Sequence, residues 1–326
     1  LYNIIIIYNM QIIPINISKK LSKNINKIIL IVGIIVCLIV LYFIYMNHIN
    51  SNKKIALCFL IYDEINHEQI WYDYLKNIDP NKYNIYIHYK ENKPLKYFND
   101  YKLQNCIETR WGGLSIVLAQ NLLLKEALKD PLNQHFIFLS QSCIPVKSFN
   151  YVYNYLDVNK SYFNLMVVRE IPYDSINFTN ENNITKAAMP CILNRKHSEI
   201  IVNNNDNIKI WFNEIDGLHK NWTKTNDVIF GVDEIVYLTL IYHYNLQNEV
   251  KTTYNLGINS VIINQWSANS NSKKYNKSEY RETEPFEYLY ICPEELESFI
   301  QSDSLFARKF TPECRGLENL NELLNY

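Results

Sequence analysis

Glycine is scarce in this 326-residue chain, at 7 residues, while Ile, Asn, Lys and Tyr crowd it. An AT-rich genome imposes that bias, so the Asn runs carry no chemical message. An excess of either charge is also missing: 32 Lys and Arg against 33 Asp and Glu leave a net charge of -1 and a pI near 6.7. A nucleic-acid-binding domain needs a strongly basic face, so that partner class is excluded, and neutral or small anionic partners fit better. No Cys-x-x-Cys pair occurs among the 7 cysteines, which argues against a zinc or dithiol redox motif. Internal repeats and an interdomain linker are lacking too. With 48% hydrophobic residues the chain can bury one full-sized core, so one globular domain plus an anchor accounts for its length.

The most conspicuous feature present is an apolar run. Ile28 to Met46 carries no charge and, as a helix, spans close to the ~30 Å hydrocarbon layer of a bilayer. Its length, and the lack of a small-x-small cleavage site after Tyr45-Met46-Asn47, favour a retained signal-anchor over a cleaved signal peptide. Lys19, Lys20, Lys23 and Lys27 precede it and Lys53 and Lys54 follow, so the positive-inside bias puts residues 1–27 in the cytosol. A stem (47–54) and a domain (55–326) then lie in the lumen of the secretory pathway, the Golgi included, as in a single-pass type II membrane protein. The chain opens on Leu1, and Met10 is an alternative start. Cys58, Cys106, Cys143, Cys191, Cys292 and Cys314 lie beyond the anchor, where an oxidising lumen permits up to three disulfides; Cys58 and Cys143, beside strand-like runs, can equally be buried thiols. Sequons at Asn159, Asn177, Asn183, Asn221 and Asn276 suit a luminal surface.

Beyond the stem, strand and helix patterns alternate. Ile55–Tyr62, Tyr83–His88, Cys106–Arg110 and His135–Leu139 have strand character, and Asp63–Lys76 and Ser115–Lys129 have helical spacing. This predicts an α/β fold with a doubly wound sheet, whose ligands sit beyond the carboxyl ends of the strands. Asp63-Glu64, Tyr89-Lys90 and Ser140–Cys143 then surround one crevice suited to a nucleotide. Further on, Tyr162–Val168 and Ile192-Leu193 read as strands and Ser198–Asn203 and Asp233–His243 as helices, with polar loops at Asn203–Asn207 and Ser267–Lys277.

Inverting transfer of a sugar needs a carboxylate to take a hydroxyl proton and a cation to hold the charge gathering on a departing nucleoside diphosphate. An Asp-x-Asp pair, the usual metal holder in nucleotide-sugar enzymes, occurs nowhere in the chain, so if the chain is a transferase, basic side chains should replace the metal. Four blocks, in order, are Thr109-Arg-Trp-Gly-Gly-Leu-Ser115, Phe136–Val146 with Phe149 and Tyr153, Val232-Asp-Glu234, and Leu305-Phe-Ala-Arg-Lys-Phe310. Together they resemble the signature of the Core-2/I-branching enzymes, nearest their plant-like branch, over residues 55 to 313.

That resemblance implies a GT-A-type glycosyltransferase fold with a Rossmann-like mixed sheet. It also implies a UDP-sugar donor (UDP-N-acetylglucosamine, or UDP-xylose in related xylosyltransferases), a glycan or glycoprotein acceptor, and no metal cofactor. It assigns Glu234 as the catalytic base, although an Asp-Glu at a helix start is otherwise an N-terminal capping pair. Lys309 and Arg308 become the diphosphate contacts, with Arg281 the arginine within reach for a second upstream cation. Trp266 falls where the family places an aromatic against the sugar, and Arg195 lies in a Leu-x-Arg-x-His block expected to face the acceptor. Trp111-Gly112-Gly113 reads as a turn before a helix whose N-terminus either packs or faces an anion, with packing favoured. The rival reading from another class is a tethered glycan-binding module that has lost turnover.

Overall fold

The computed structural model describes residues 27–44, 52–166, 176, 178–225, 231–253, 258–265, 269–274 and 285–324, with the side chains of 221–225 outside that set. The chain divides into two units, Leu1–Lys53 and Lys54–Tyr326. In the first, helix α1 (Lys27–Ile44) has a mean hydropathy of 3.1 and is long and apolar enough to cross a membrane.

The second unit begins β1 (Lys54–Ile61), α2 (Glu68–Leu75), β2 (Tyr83–Tyr89), α3 (Leu114–Ala127), β3 (Asn133–Ser140), β4 (Ile144–Pro145), α4 (Phe149–Tyr155), β5 (Ser161–Asn164) and β6 (Ile192–Asn194). It continues through α5 (Arg195–Asn203), α6 (Asn205–Trp211), α7 (Asn213–Thr225), α8 (Val236–His243), β7 (Val250–Thr253), β8 (Ile262–Asn264) and β9 (Lys273–Lys274). Last come β10 (Tyr288–Tyr290), α9 (Pro293–Gln301), β11 (Phe306–Arg308), β12 (Phe310–Arg315) and α10 (Leu320–Leu324).

The main sheet has the order β2-β1-β3-β6-β5-β7. β1 runs parallel to both β2 and β3, β6 is antiparallel to β3 and β5, and β7 is parallel to β5. The sheet is therefore mixed and Rossmann-like, in agreement with the sequence expectation. From Ile55 to Ile61 in β1 and from Phe136 to Leu139 in β3 the sequence is an unbroken apolar run, because both faces of these strands are covered. Ile55, Leu57, Phe59 and Ile61 join one core with Ile137 and Leu139, whereas Ala56 and Cys58 join the other with Phe136 and Phe138. Trp71 on α2 locks the first core to the small sheet β4-β11-β8: its ring meets Phe59 and Phe306, and its indole N–H donates to the Cys143 carbonyl at 3.0 Å.

Three local expectations need correction. Residues 106–110 form no strand; the chain there leaves the sheet edge after Leu103 N–H donates to the Ile87 carbonyl, and Ile107 N–H donates to His88 Nε2. The supposed polar loop at 203–207 is mostly helix α6, which with α7 buries Ile208, Phe212, Ile215 and His219 at helical spacing. All seven cysteines are free thiols, with Cys58, Cys143, Cys191 and Cys292 packed in the interior, so the expected disulfides are not formed.

Candidate active site

Because β6 runs backwards between β3 and β5, the carboxyl ends of β1, β2, β3, β5 and β7 all reach one edge of the sheet. The turn after β3 is the meeting point on one side. Tyr62 N–H donates to Gln141 Oε1 (2.7 Å), Asn66 N–H to the Gln141 carbonyl (3.0 Å), and Phe310 N–H to the Ser142 carbonyl (3.1 Å). Asn66 Nδ2 also donates to the Phe310 carbonyl at 2.6 Å. The Arg308–Phe310 segment, remote in sequence, is thereby fixed over the crevice.

A single buried amide at the end of β5 organises the other side. Asn164 Nδ2 donates to the Ile262 carbonyl (2.8 Å), and its Oδ1 accepts from Val261 N–H (2.9 Å) and Thr253 Oγ1 (3.0 Å). That clamps β8, and through the β8–β11 pairing Arg308 itself, onto the main sheet. Ala188 N–H donates to the Asn164 carbonyl and Ala187 N–H to the Glu234 carbonyl, both at 2.8 Å. One strand end thus registers the turn bearing Glu234 and the strand bearing Arg308, although no motif in the sequence singles Asn164 out.

The turn Val232–Glu234 is one coil of 3-10 helix before α8. Glu234 Oε2 accepts from Gly231 N–H at 3.3 Å and pairs with Lys186 Nζ at 3.2 Å. Among the described residues its Oε1 carries no hydrogen bond. Next to it Asp233 is half-buried, with Oδ1 shielded and without a partner among the described residues. Arg308 is half-buried with Nε shielded in the same way. Burial works against its guanidinium charge, and the carboxylates of Asp233, Glu234 and Glu287 offset that cost. Two carboxyl groups and two cations therefore share one desolvated neighbourhood. Among the described residues no group of three or more His, Cys, Asp or Glu is arranged to hold a metal ion.

Burial, reinforced by the negative charge of Glu234, raises the Asp233 carboxyl to about 7, although its own backbone amide, Arg308 and Lys186 oppose the shift. The native state therefore keeps a proton that the unfolded chain releases above roughly pH 4, so the stability contributed is greatest below that pH and is lost as pH rises through about 7. Asp233→Asn should match the parent near pH 4 and exceed its stability by on the order of 2 kcal/mol at pH 8, as read by urea unfolding at both values. Equal stabilities at pH 8 would contradict the assignment.

The Trp111-Gly-Gly loop braces the same turn: Val232 N–H donates to the Gly112 carbonyl at 2.6 Å. Gly112 has φ +65, and a Cβ there would come within 2.6 Å of His219 Nε2, so only glycine fits. Arg110 pairs with Asp216 at 2.7 Å, and Asp216 Oδ1 also accepts from Leu114 N–H at 2.6 Å, filling the N-terminus of α3 with the protein's own carboxylate. Trp111 itself is 67% exposed rather than packed, its indole offering a flat face of the kind on which a pyranose stacks.

Residues 55–287 match the profile of the Core-2/I-branching enzyme family, well over half of the chain. The chain belongs to the Core-2/I-branching enzymes. Glycosyltransferase BC10 of Oryza sativa subsp. japonica is 26% identical over 171 residues, a match covering 47% of this chain and 41% of the rice protein. The chain thus aligns with less than half of that relative's length. Among solved structures, a glycosyltransferase involved in glycosylation of the major capsid of PBCV-1 superposes at a TM-score of 0.38 with 10% identity, covering 82% of this chain and 99% of its own. TarS of S. aureus gives 0.32 and 10%, covering 62% and 35%. Superpositions this loose transfer no residue role.

Within this Core-2/I-branching enzyme, Glu234 and Arg308 are brought together, and Lys309 follows directly, its carbonyl accepting from Tyr288 N–H at 2.8 Å. Trp266 and Arg281 lie outside the described residues. Arg195 needs correction. Its guanidinium donates to the carbonyls of Leu128, Asp130 and Asn133 at 3.0–3.2 Å and its Nε to Glu199, which ties α5 to the start of β3. That is the opposite edge of the sheet from Glu234, because β6 is antiparallel and delivers Arg195 to the strands' amino ends. A groove of about 910 Å3 beside Leu296, Ile300 and Leu323 shares no residue with either arm of the site.

Proposed function

We propose that this protein is a membrane-anchored, inverting glycosyltransferase. In this reading it moves a sugar, N-acetylglucosamine foremost and xylose as the alternative, from a UDP carrier to a glycan hydroxyl without a metal. The observation that carries this reading is the placement of Glu234, whose Oε1 carries no hydrogen bond among the described residues, in one neighbourhood with the shielded Arg308 at the carboxyl edge of the sheet.

In the proposed step the acceptor hydroxyl gives its proton to Glu234 Oε1 while its oxygen bonds to the anomeric carbon. The bond from that carbon to the diphosphate oxygen breaks on the opposite face, and UDP departs with the electron pair. Arg308 and Lys309 receive the charge, the Arg as a rigid fork and the Lys as a point charge, in surroundings of low dielectric where each counts for more. The exposed indole of Trp111 supports a saccharide on the acceptor side. Arg281 and Trp266 keep their assignments to the diphosphate and the sugar. Helix α1, with lysines before it, supports a type II orientation that holds the site in the secretory lumen.

The test is UDP release by the full chain in detergent micelles, with UDP-N-acetylglucosamine, UDP-xylose, UDP-glucose and UDP-galactose supplied separately in excess EDTA. Turnover of at least one donor, unchanged by added manganese, is expected. A strict manganese requirement would contradict the metal-free mechanism, and absence of both turnover and UDP binding would favour a tethered glycan-binding module.

A further inference from the structure

Lys186 is a buried ammonium, 8% exposed, that no sequence motif marks. Taking such a charge out of water costs several kcal/mol unless a partner and hydrogen bonds compensate it. Its ion-pair partner is Glu234, at 3.2 Å from Oε2. The main chain on either side makes that contact rigid. The Lys186 carbonyl accepts from Met166 N–H at 2.9 Å, and Ala187, which bridges to Leu165, donates to the Glu234 carbonyl. The Lys186-Ala187 segment and the turn bearing Glu234 are therefore joined twice, by the Ala187 backbone bond and by the Lys186 ion pair.

The consequence lies in which oxygen is held. Gly231 N–H and Lys186 Nζ both occupy Oε2, which leaves Oε1 as the oxygen to meet a hydroxyl. We propose that Lys186 is a positioning residue for sugar transfer: it holds the Glu234 carboxylate by one oxygen so that the other is presented to the acceptor. This inference rests on the reading of Glu234 as the base. The proton leaves the acceptor O–H for Oε1 as the new C–O bond forms, and passes to solvent after UDP departs, restoring the Lys186–Glu234 pair. Lys186 itself exchanges no proton and touches no substrate.

Lys186→Met removes the cation and keeps the volume, and Lys186→Arg keeps a donor. UDP release is measured with UDP-N-acetylglucosamine and UDP-xylose supplied together, alongside UDP affinity by calorimetry. Lys186→Met should lose about 100-fold in rate, the scale set by misplacing a reacting group, with UDP affinity within about twofold of the parent. Lys186→Arg should keep at least about a third of the parental rate at unchanged UDP affinity, on the same scale. Parental turnover in Lys186→Met would overturn the proposal, as would equal losses of rate and UDP affinity in both variants, the mark of a purely structural lysine. If Lys186→Met fails to fold, the Arg variant decides alone: a retained rate supports the proposal and a lost rate overturns it. Glu234→Gln run in parallel separates the two ideas. Parental turnover there removes the base itself, whereas an inactive Gln variant beside a fully active Met variant removes only the role of Lys186.

Discussion

Glu234→Gln should bind UDP as the parent does and lose about 10²- to 10⁴-fold in kcat for sugar transfer, the usual worth of a general base. The substitution keeps shape and size, and the amide can still accept from Gly231 N–H through its oxygen. What disappears is an oxygen basic enough to take the hydroxyl proton. Because the proposed diphosphate contacts, Arg308 and Lys309, lie on a chain segment separate from the turn bearing Glu234, nucleotide affinity is a control that should not move. A rate within threefold of the parent would remove Glu234 from the mechanism.

The second large effect is expected at the opposite end of the bond being broken. Arg308→Met should lower kcat by about 10²- to 10³-fold, as removal of one group stabilising transition-state charge does elsewhere. Unlike Glu234→Gln, it should also weaken UDP binding, since a diphosphate is charged before the reaction as well as after it. Lys309→Met should show a smaller loss of the same kind. Arg308→Lys should restore part of the binding and less of the rate, because a point charge replaces a fork that can bond two oxygens at once. Unchanged UDP affinity in Arg308→Met would show that this cation serves Asp233 and Glu234 rather than a ligand.

The parts of this site differ in how far they can be read before folding. Strands β1 and β3 announce themselves because both faces are buried, so runs such as Ile55–Ile61 and Phe136–Leu139 are apolar throughout. The start of α6 does not: Ile208, Phe212, Ile215 and His219 keep a helical spacing, but the Asn and Asp run at 203–207 just ahead of them imitates a loop. Glu234 and Arg308 sit in blocks that resemble a family, and the fold brings them together. Asn164 and Lys186 sit in no such block. Their importance arises from contacts across 48 to 98 residues of sequence, created only when β5 ends beside both arms of the site. Arg195 misleads for the reverse reason, since its local pattern says nothing about strand direction, and the reversal of β6 carries it to the far edge.

One measurement bears most directly on the convergence of Glu234 with the Arg308–Lys309 segment: a crystal structure of the protein soaked with UDP. The account predicts the diphosphate within hydrogen-bonding distance of Arg308 and Lys309, the uracil in the crevice past β1 and β2, and an open space between the β-phosphate and Glu234 Oε1 large enough for one pyranose ring. UDP seated elsewhere, or a diphosphate turned away from Glu234 with protein filling the gap, would contradict it.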